Sequence, residues 1–322
     1  MIKYFLQRLA VIPPALILVH FLGFAYAHLV RPLRALRNPY LASVDKSTPL
    51  WPAYQAYAKR ILALDFGTML DPWSGLREVP VGETILNAAE ASLGLLAIAL
   101  LLSIIAGLFL GMRAAGAEPP VIARWLTLLA TFSLSMPAFF LGSLFFAVWF
   151  LYVVWGGPGV LPLPIGGFGW DSHLIVPTLV LMARPTVQIG QIAAGLLVDE
   201  FGKQYVIAAR SVGNTWRAIR WRHALRNILA SVILTIAASL RLLVGELIVV
   251  EWLFDWPGLG NLLARTLIPS GVALTRGVVE RPLFLDPQVV ASVLVVFTAL
   301  FLLTDLIASV LVKRFDPRLR DG

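Results

Sequence analysis

Arg184, Arg241, Glu246 and Glu251 fall inside stretches of sequence that are otherwise almost wholly apolar. An ionised side chain in the middle of a membrane helix costs roughly 2.5–3.5 kcal/mol on insertion scales, so it faces protein or water rather than lipid. Such residues serve one of two chemistries, a polar solute path or a structural ion pair. Counted from the ends of their apolar runs, Arg184 and Arg241 each lie about 16 Å deep if the runs are helical, close to a bilayer midplane. Pro185 follows Arg184 and weakens helical bonding there, which favours a polar cavity. Arg184, Gln188, Arg241 and Glu246 are therefore candidates for a translocation path whose positive potential suits a carboxylate-bearing solute. An Arg–Glu lock is the alternative. Glu246 is five residues from Arg241, about 140° around a helix, so Arg241 needs a partner from another helix, from solute or from water.

A second cluster is "RSVGNTWRAIRWRHALRN" at 210–227, and from Lys203 to Arg226 there are six basic residues and no acid. Residues 199–212 read as helix up to Gly213, which suits a left-handed position after a helix end. Asn214 or Thr215 can cap a second short helix carrying Trp216, Arg217, Ile219, Arg220, Trp221 and Arg222. Cations with tryptophans suit either anionic headgroups or a soluble partner. A third stretch, "DWPGLGNLL" at 255–263, begins four residues after Glu251. Trp256 is the expected interfacial anchor, Pro257 and Gly258 a helix stop, and Leu259 the start of a short re-entrant or surface helix.

Enzyme chemistry has little to stand on. The chain lacks a phosphate-binding G-x-x-x-x-G-K-[ST] loop, an H-E-x-x-H pair and a G-x-S-x-G elbow. His20 and His28 share a helical face but have no further ligands beside them. There is no cysteine, hence no thiolate metal site and no thiol nucleophile.

The elements that must carry these residues are membrane helices. The 322 residues are 59% hydrophobic and 14% charged, well under the roughly 25% charged content of a soluble domain. Apolar runs near 5–30, 86–112, 126–155, 173–197, 228–252 and 288–312 are each long enough to cross a ~30 Å core as helix. They predict an all-α polytopic protein with six spans. The first run follows Lys3 and Arg8 and contains Ala25-Tyr26-Ala27, the outline of a signal peptide. Its apolar stretch is longer than such peptides carry, so a retained first span is expected, broken early by Pro13-Pro14. Of the 26 Lys and Arg, 14 fall on the side of the termini and 10 on the other. That puts both termini in the cytoplasm and makes nucleic acid an unnecessary explanation of the net charge of +8. In the long loop 31–80, Pro52 opens a predicted helix over 52–64, with Tyr54, Tyr57, Ala58, Ile61 and Leu62 along one stripe.

"VIAARSVGNTWRAIRWRHALRN" at 206–227 resembles the cytoplasmic coupling loop of ABC importer permeases, with Ala208-Ala209 four residues ahead of Gly213. "RHALRN", together with "VVEWLFDWPGLGNLL" at 249–263, is similar to the dipeptide, oligopeptide and nickel branch. Weaker echoes run through "YFLQRLAVIPPALILV", "LDFGTM", "SMPAFFLG" and "FDPRLR". The resemblance implies the type I ABC importer permease fold, in one transmembrane domain over 1–322, in the cytoplasmic membrane of a prokaryote. Its partners would be a homologous second permease, two ATP-binding subunits and an extracytoplasmic solute-binding protein, with lipid around the bundle. No cofactor is expected on this chain, since ATP and Mg belong to the partner subunits. Ala208, Ala209, Gly213, Asn214, Thr215, Trp216, Arg217, Arg220 and His223 become the expected coupling residues. Glu251, Trp256, Pro257, Gly258, Leu259 and Gly260 become the expected outer gate or binding-protein face. The sequence departs from the family at Gln204, often acidic, and near Ala230, commonly proline. A stretch between Leu267 and Asp286 is longer than expected. Peptides head the substrate classes, with nickel chelates and other solutes open; a channel or scaffold without ATP drive is the remaining alternative.

Overall fold

A computed structural model describes residues 2–37, 48–74, 77–157, 164–268 and 284–315. The long 267–286 stretch and "FDPRLR" fall largely outside them. Helix dominates, as expected. Among the described residues the one sheet is a small ribbon that the apolar pattern did not announce: β1 (Thr68–Leu70) pairs antiparallel with β2 (Glu78–Pro80), Met69 opposite Val79.

Among the described residues, four helical runs are long and apolar enough to cross a membrane. They are Leu9–Leu33 within α1 (Ile2–Arg37), α3 (Val81–Ala114), the run Trp216–Leu253, and Pro287–Leu311 within α11 (Pro287–Phe315). Two expectations need correction. Pro13 and Pro14 do not break α1, which continues through both. The 126–155 run is not one straight span but α4 (Arg124–Ser135) and α5 (Ala138–Val154), bent by 95°. The physical cause is Met136-Pro137: a residue before proline is pushed out of the helical region, and Met136 sits at φ −106°, ψ 117°. Counted as one broken span, the pair makes a fifth. At the remaining expected position, α6 (Ile175–Phe201) has 27 residues, but Arg184, Gln188 and Gln191 make it less apolar than the others.

The chain forms two compact units. One comprises Met1–Phe5, Gly94–Phe254 and Leu303–Gly322, the other Leu6–Leu93 and Asp255–Leu302. In the first, α6 packs along α9 (Leu225–Leu253), with α4 and α5 against them. The C-terminal half of α3 approaches α6 through glycines: a Cβ on Gly107 would lie 2.7 Å from the Thr186 carbonyl oxygen, and one on Gly111 2.7 Å from that of Gly190. Small residues four apart let membrane helices touch backbone to backbone, and Gly107 and Gly111 are such a pair. Leu126, Ala193, Ala194, Leu197, Phe201, Ala224 and Ile228 form an apolar core here.

In the second unit, α2 (Leu50–Leu62) lies where a helix was expected at 52–64, with each end two residues earlier. Its Tyr54 and Tyr57 pack on Phe24 of α1, and the Tyr57 hydroxyl donates to the Gln288 carbonyl of α11 at 3.0 Å. The expected stripe is right at Tyr57, 3% exposed, and wrong at Leu62, 85% exposed. His20 and His28 have different partners. His20 Nδ1 is 3.1 Å from the Tyr54 hydroxyl, whereas His28 Nε2 contacts the Thr48 carbonyl oxygen. Among the described residues there is no cluster of metal-ligating side chains.

Candidate functional site

The basic segment is built as a short stiff tab. Helix α6 ends at Phe201, Gly202 breaks it, and α7 (Gln204–Ser211) runs up to the turn. Gly213 has φ +90°, the left-handed position expected of it, and a Cβ there would meet nothing within 4 Å. Its N–H donates to the Arg210 carbonyl at 2.9 Å. Asn214 closes the turn, donating from both its backbone N–H and its side-chain amide to the Ala209 carbonyl, each at 3.1 Å. Thr215 is the cap: its hydroxyl accepts from the Ala218 N–H at 3.2 Å.

The second limb is not the separate short helix expected. The turn α8 (Trp216–Ala218) leads through a π-helical stretch (Ile219–Ala224) straight into α9. The 38-residue run Trp216–Leu253 is about 57 Å long at the helical rise, nearly twice a ~30 Å hydrocarbon core, so one end must project beyond it.

Glu200, which sequence reasoning passed over, organises the root of this tab. It is 6% exposed, pairs with Lys203, and accepts from the Tyr205 hydroxyl at 2.6 Å and the Asn227 amide at 3.0 Å. Burial raises its pKa, but the hydrogen bonds from Lys203, Tyr205 and Asn227 outweigh this and hold it below the ordinary value. Burial and the bond to Glu200 push the Tyr205 phenol up to about 12. No local sequence signal points to Glu200, because Asn227 lies 27 residues away.

The expected coupling residues divide by exposure. Arg220 is half-buried: it donates to the Ala115 carbonyl at 2.8 Å and lies over the Phe201 ring. Trp216 packs edge-on to Phe201 under the Arg210 guanidinium, and Ala209 is half-buried. These three hold the tab together. Ala208, Arg217, Trp221, Arg222 and His223 are exposed, along with Ile207 (66%) and Val212 (83%). A shallow pocket lies among Thr215, Arg217, Ala218, Trp221 and Arg222.

Within the apolar helices, both arginines have acidic partners. Arg184 Nη1 lies 2.9 Å from Glu246 Oε1, joining α6 to α9. Arg241 Nη2 lies 2.6 Å from Asp305 Oδ1, joining α9 to α11. Of the partners left open for Arg241, another helix, solute or water, the structure supplies an acid on another helix. The expected positive potential does not hold, since each guanidinium is matched by a carboxylate. Asp305 was missed, although it is a lone acid inside the 288–312 run and the rule that singled out Arg184 applies to it equally. Gln188 Oε1, Arg184 Nε, Arg241 Nε and Glu246 Oε2 are buried atoms without hydrogen-bond partners.

The "DWPGLGNLL" stretch corrects the sequence reading at Trp256. It is no interfacial anchor but is 0% exposed, and its indole N–H donates to the Ala91 carbonyl at 3.0 Å. Helix α9 ends at Leu253, ahead of Pro257, and Asp255 takes φ +52°. Gly258 precedes α10 (Leu259–Leu267), whose first six residues are all buried. This helix is enclosed by protein rather than lying on a surface. Asn261 ties the turn down, donating to the Trp256 carbonyl at 2.9 Å and to Asp255 at 3.1 Å. Arg265 bonds Asn261 and the Pro72 carbonyl, both at 3.0 Å. Leu259 and Gly260 are 1% exposed and buried respectively, and Glu251, on α9, is 0% exposed.

Helices of membrane-spanning length, intramembrane ion pairs and a stiff basic tab define a polytopic transport protein. Residues 103–321 match the family described as the binding-protein-dependent transport system inner membrane component, and the chain belongs to it. It is an inner-membrane permease of an ABC importer. Over 333 residues, spanning 99% of both chains, it is 28% identical to the glutathione transport system permease protein GsiC of Salmonella paratyphi A and of Salmonella typhimurium. It is 26% identical to GsiC of Escherichia coli strain K12 over the same share.

Proposed function

We propose that this permease imports small peptides, forming a six-span path with a homologous second permease, powered by two separate ATP-binding subunits. An extracytoplasmic binding protein delivers the solute, and both termini lie in the cytoplasm. The observation that carries the reading is the tab at 204–224. It is internally bonded through Gly213, Asn214 and Thr215, yet it exposes Ile207, Val212, Trp221, Arg217 and Arg222 together. A rigid element with an uncovered apolar and basic face fits a soluble partner that moves it as a body, so that ATP binding shifts the balance between inward- and outward-facing states. In this reading α10 and the turn at Trp256–Gly260 serve the outer gate, and Arg184, Gln188, Arg241 and Glu246 face the path. The peptide class follows from the relatives' glutathione, itself a small peptide. The test is uptake of a labelled tripeptide by the complex reconstituted in liposomes. Uptake should require ATP, the binding protein and both permeases. ATP-independent flux would favour the channel alternative.

A further inference from the structure

We infer that α6, α9 and α11 carry two charge-neutral stations, Arg184–Glu246 and Arg241–Asp305, that select solutes bearing both an ammonium and a carboxylate. The inference rests on the reading that this face lines the path.

The Arg184–Glu246 pair is made at a single point. Arg184 offers one Nη to one Glu246 oxygen at 2.9 Å, and its Nε and the second Glu246 oxygen have no partner although buried. Arg241 offers one Nη to Asp305 at 2.6 Å, and its Nε is likewise unpartnered. A guanidinium has five N–H donors in a fixed fork that matches a carboxylate two-for-two. A pair serving only as a lock would gain most by using that fork and being enclosed. Here the arginine side chains are 30% and 41% exposed and their acidic partners 14% and 28%. Charges open to this degree in a membrane bundle must face water or other protein.

Charge balance then decides the solute class. An anion that took Arg184 would leave Glu246 without its counter-charge in a poorly solvated place, and a cation taking Glu246 would strand Arg184. A zwitterion exchanges pair for pair: its carboxylate takes the arginine fork and its ammonium the acid. Nothing is left uncompensated. Arg241 and Glu246 are five residues apart on α9, roughly 7.5 Å of rise, so the two pairs offer successive places at different depths. Gln188, whose buried carbonyl oxygen has no partner, sits one helical turn from Arg184. It supplies a neutral acceptor beside the first pair.

The test uses the complete complex in liposomes, with labelled trialanine and N-acetyl-trialanine, which lacks the ammonium. In Glu246→Gln with Asp305→Asn, the ratio of N-acetyl-trialanine to trialanine uptake should rise about tenfold or more, the loss of a charge-assisted hydrogen bond. The binding protein is the same in both preparations, so its own preference cancels in the comparison. An unchanged ratio in an assembled variant overturns the inference. If the double variant fails to assemble, Glu246→Gln and Asp305→Asn are measured singly. Failure of both to assemble makes the pairs structural locks and also overturns it. The path reading is checked separately with Gln188→Cys, which has no background because the chain has no cysteine. A charged thiol reagent should label it, and trialanine with the binding protein should protect it. Absence of labelling sinks the path reading; labelling with an unmoved uptake ratio sinks only the zwitterion stations.

Discussion

Glu200 is 6% exposed and takes hydrogen bonds from Lys203, Tyr205 and Asn227, residues of α7, its lead-in and α9. One carboxylate therefore joins the end of α6 to both limbs of the tab. Glu200→Gln keeps an acceptor but loses the charge, and should weaken this junction by about 2 kcal/mol, the difference a charged acceptor makes. Amide hydrogen exchange across 203–214 should quicken in the variant, while exchange in the middle of α6 stays as it was. The pH dependence has a definite sign. A carboxylate whose pKa is lower folded than unfolded contributes stability above the unfolded value, lost as pH falls through the folded one. Protection of 203–214, corrected for intrinsic rates, should thus be level from neutral pH down to the ordinary glutamate value of 4.5 and decline below it. Glu200→Gln should show no such decline. A decline of equal size in the variant would mean that some other group titrates.

Two elements owe their geometry to glycine for different reasons, and substitution separates them. Gly213 has open space where a Cβ would go, so its requirement is purely the backbone at φ +90°. Holding a β-branched residue there costs about 1–3 kcal/mol, whereas asparagine tolerates the left-handed region. Gly213→Val should let the permease insert and assemble but lose solute stimulation of the partner ATPase, and Gly213→Asn should keep most of it. Stimulation that survives in Gly213→Val would show that the turn is not what transmits motion. Gly107 and Gly111 are the opposite case, ordinary helical positions where any side chain would strike the α6 backbone. Gly107→Leu or Gly111→Leu should lower the thermal unfolding temperature of the detergent-solubilised protein by several degrees, through helix separation. Gly245→Ala, with nothing within 4 Å of its would-be Cβ, should leave it nearly unchanged. These contrasts also explain what was legible in the sequence. The Gly213 turn, the Thr215 cap and the α2 helix depend on neighbours a few residues away, and their patterns gave them correctly. The bend at Pro137, the Gly107–Gly111 contact and the burial of Trp256 depend on what lies opposite. Tryptophan at the end of an apolar run reads as an interface anchor until Ala91 is known to accept its N–H.

At the scale of the whole molecule, an importer must close one side before it opens the other, so some enclosed element has to move. Charge and hydropathy along the chain revealed a polytopic membrane protein, the motifs at 206–227 and 249–263 carried the resemblance to a permease, and spacing alone offered the Arg–Glu lock and the polar path as near equals. Asp305 changes that balance, because it makes the charged set neutral in a way no single run of sequence displays. For the moving element, α10 is the strongest candidate in the second compact unit. Its start is pinned by the Trp256 bond to Ala91 and by the Leu259 N–H donating to the Ser92 hydroxyl at 2.8 Å. Leu259 is 1% exposed while Leu267, at the other end of α10, is 37% exposed. In this cysteine-free chain, Leu259→Cys should resist a soluble thiol reagent in the resting complex, and Leu267→Cys should react. If α10 is displaced when the outer side opens, trapping the ATPase subunits with ATP and vanadate should raise the Leu259→Cys labelling rate about tenfold or more, as a local opening of even 1–2 kcal/mol would allow. Leu267→Cys should label at a similar rate in both states. A Leu259→Cys rate that is the same with and without trapping would make α10 fixed packing and move the gate to another helix.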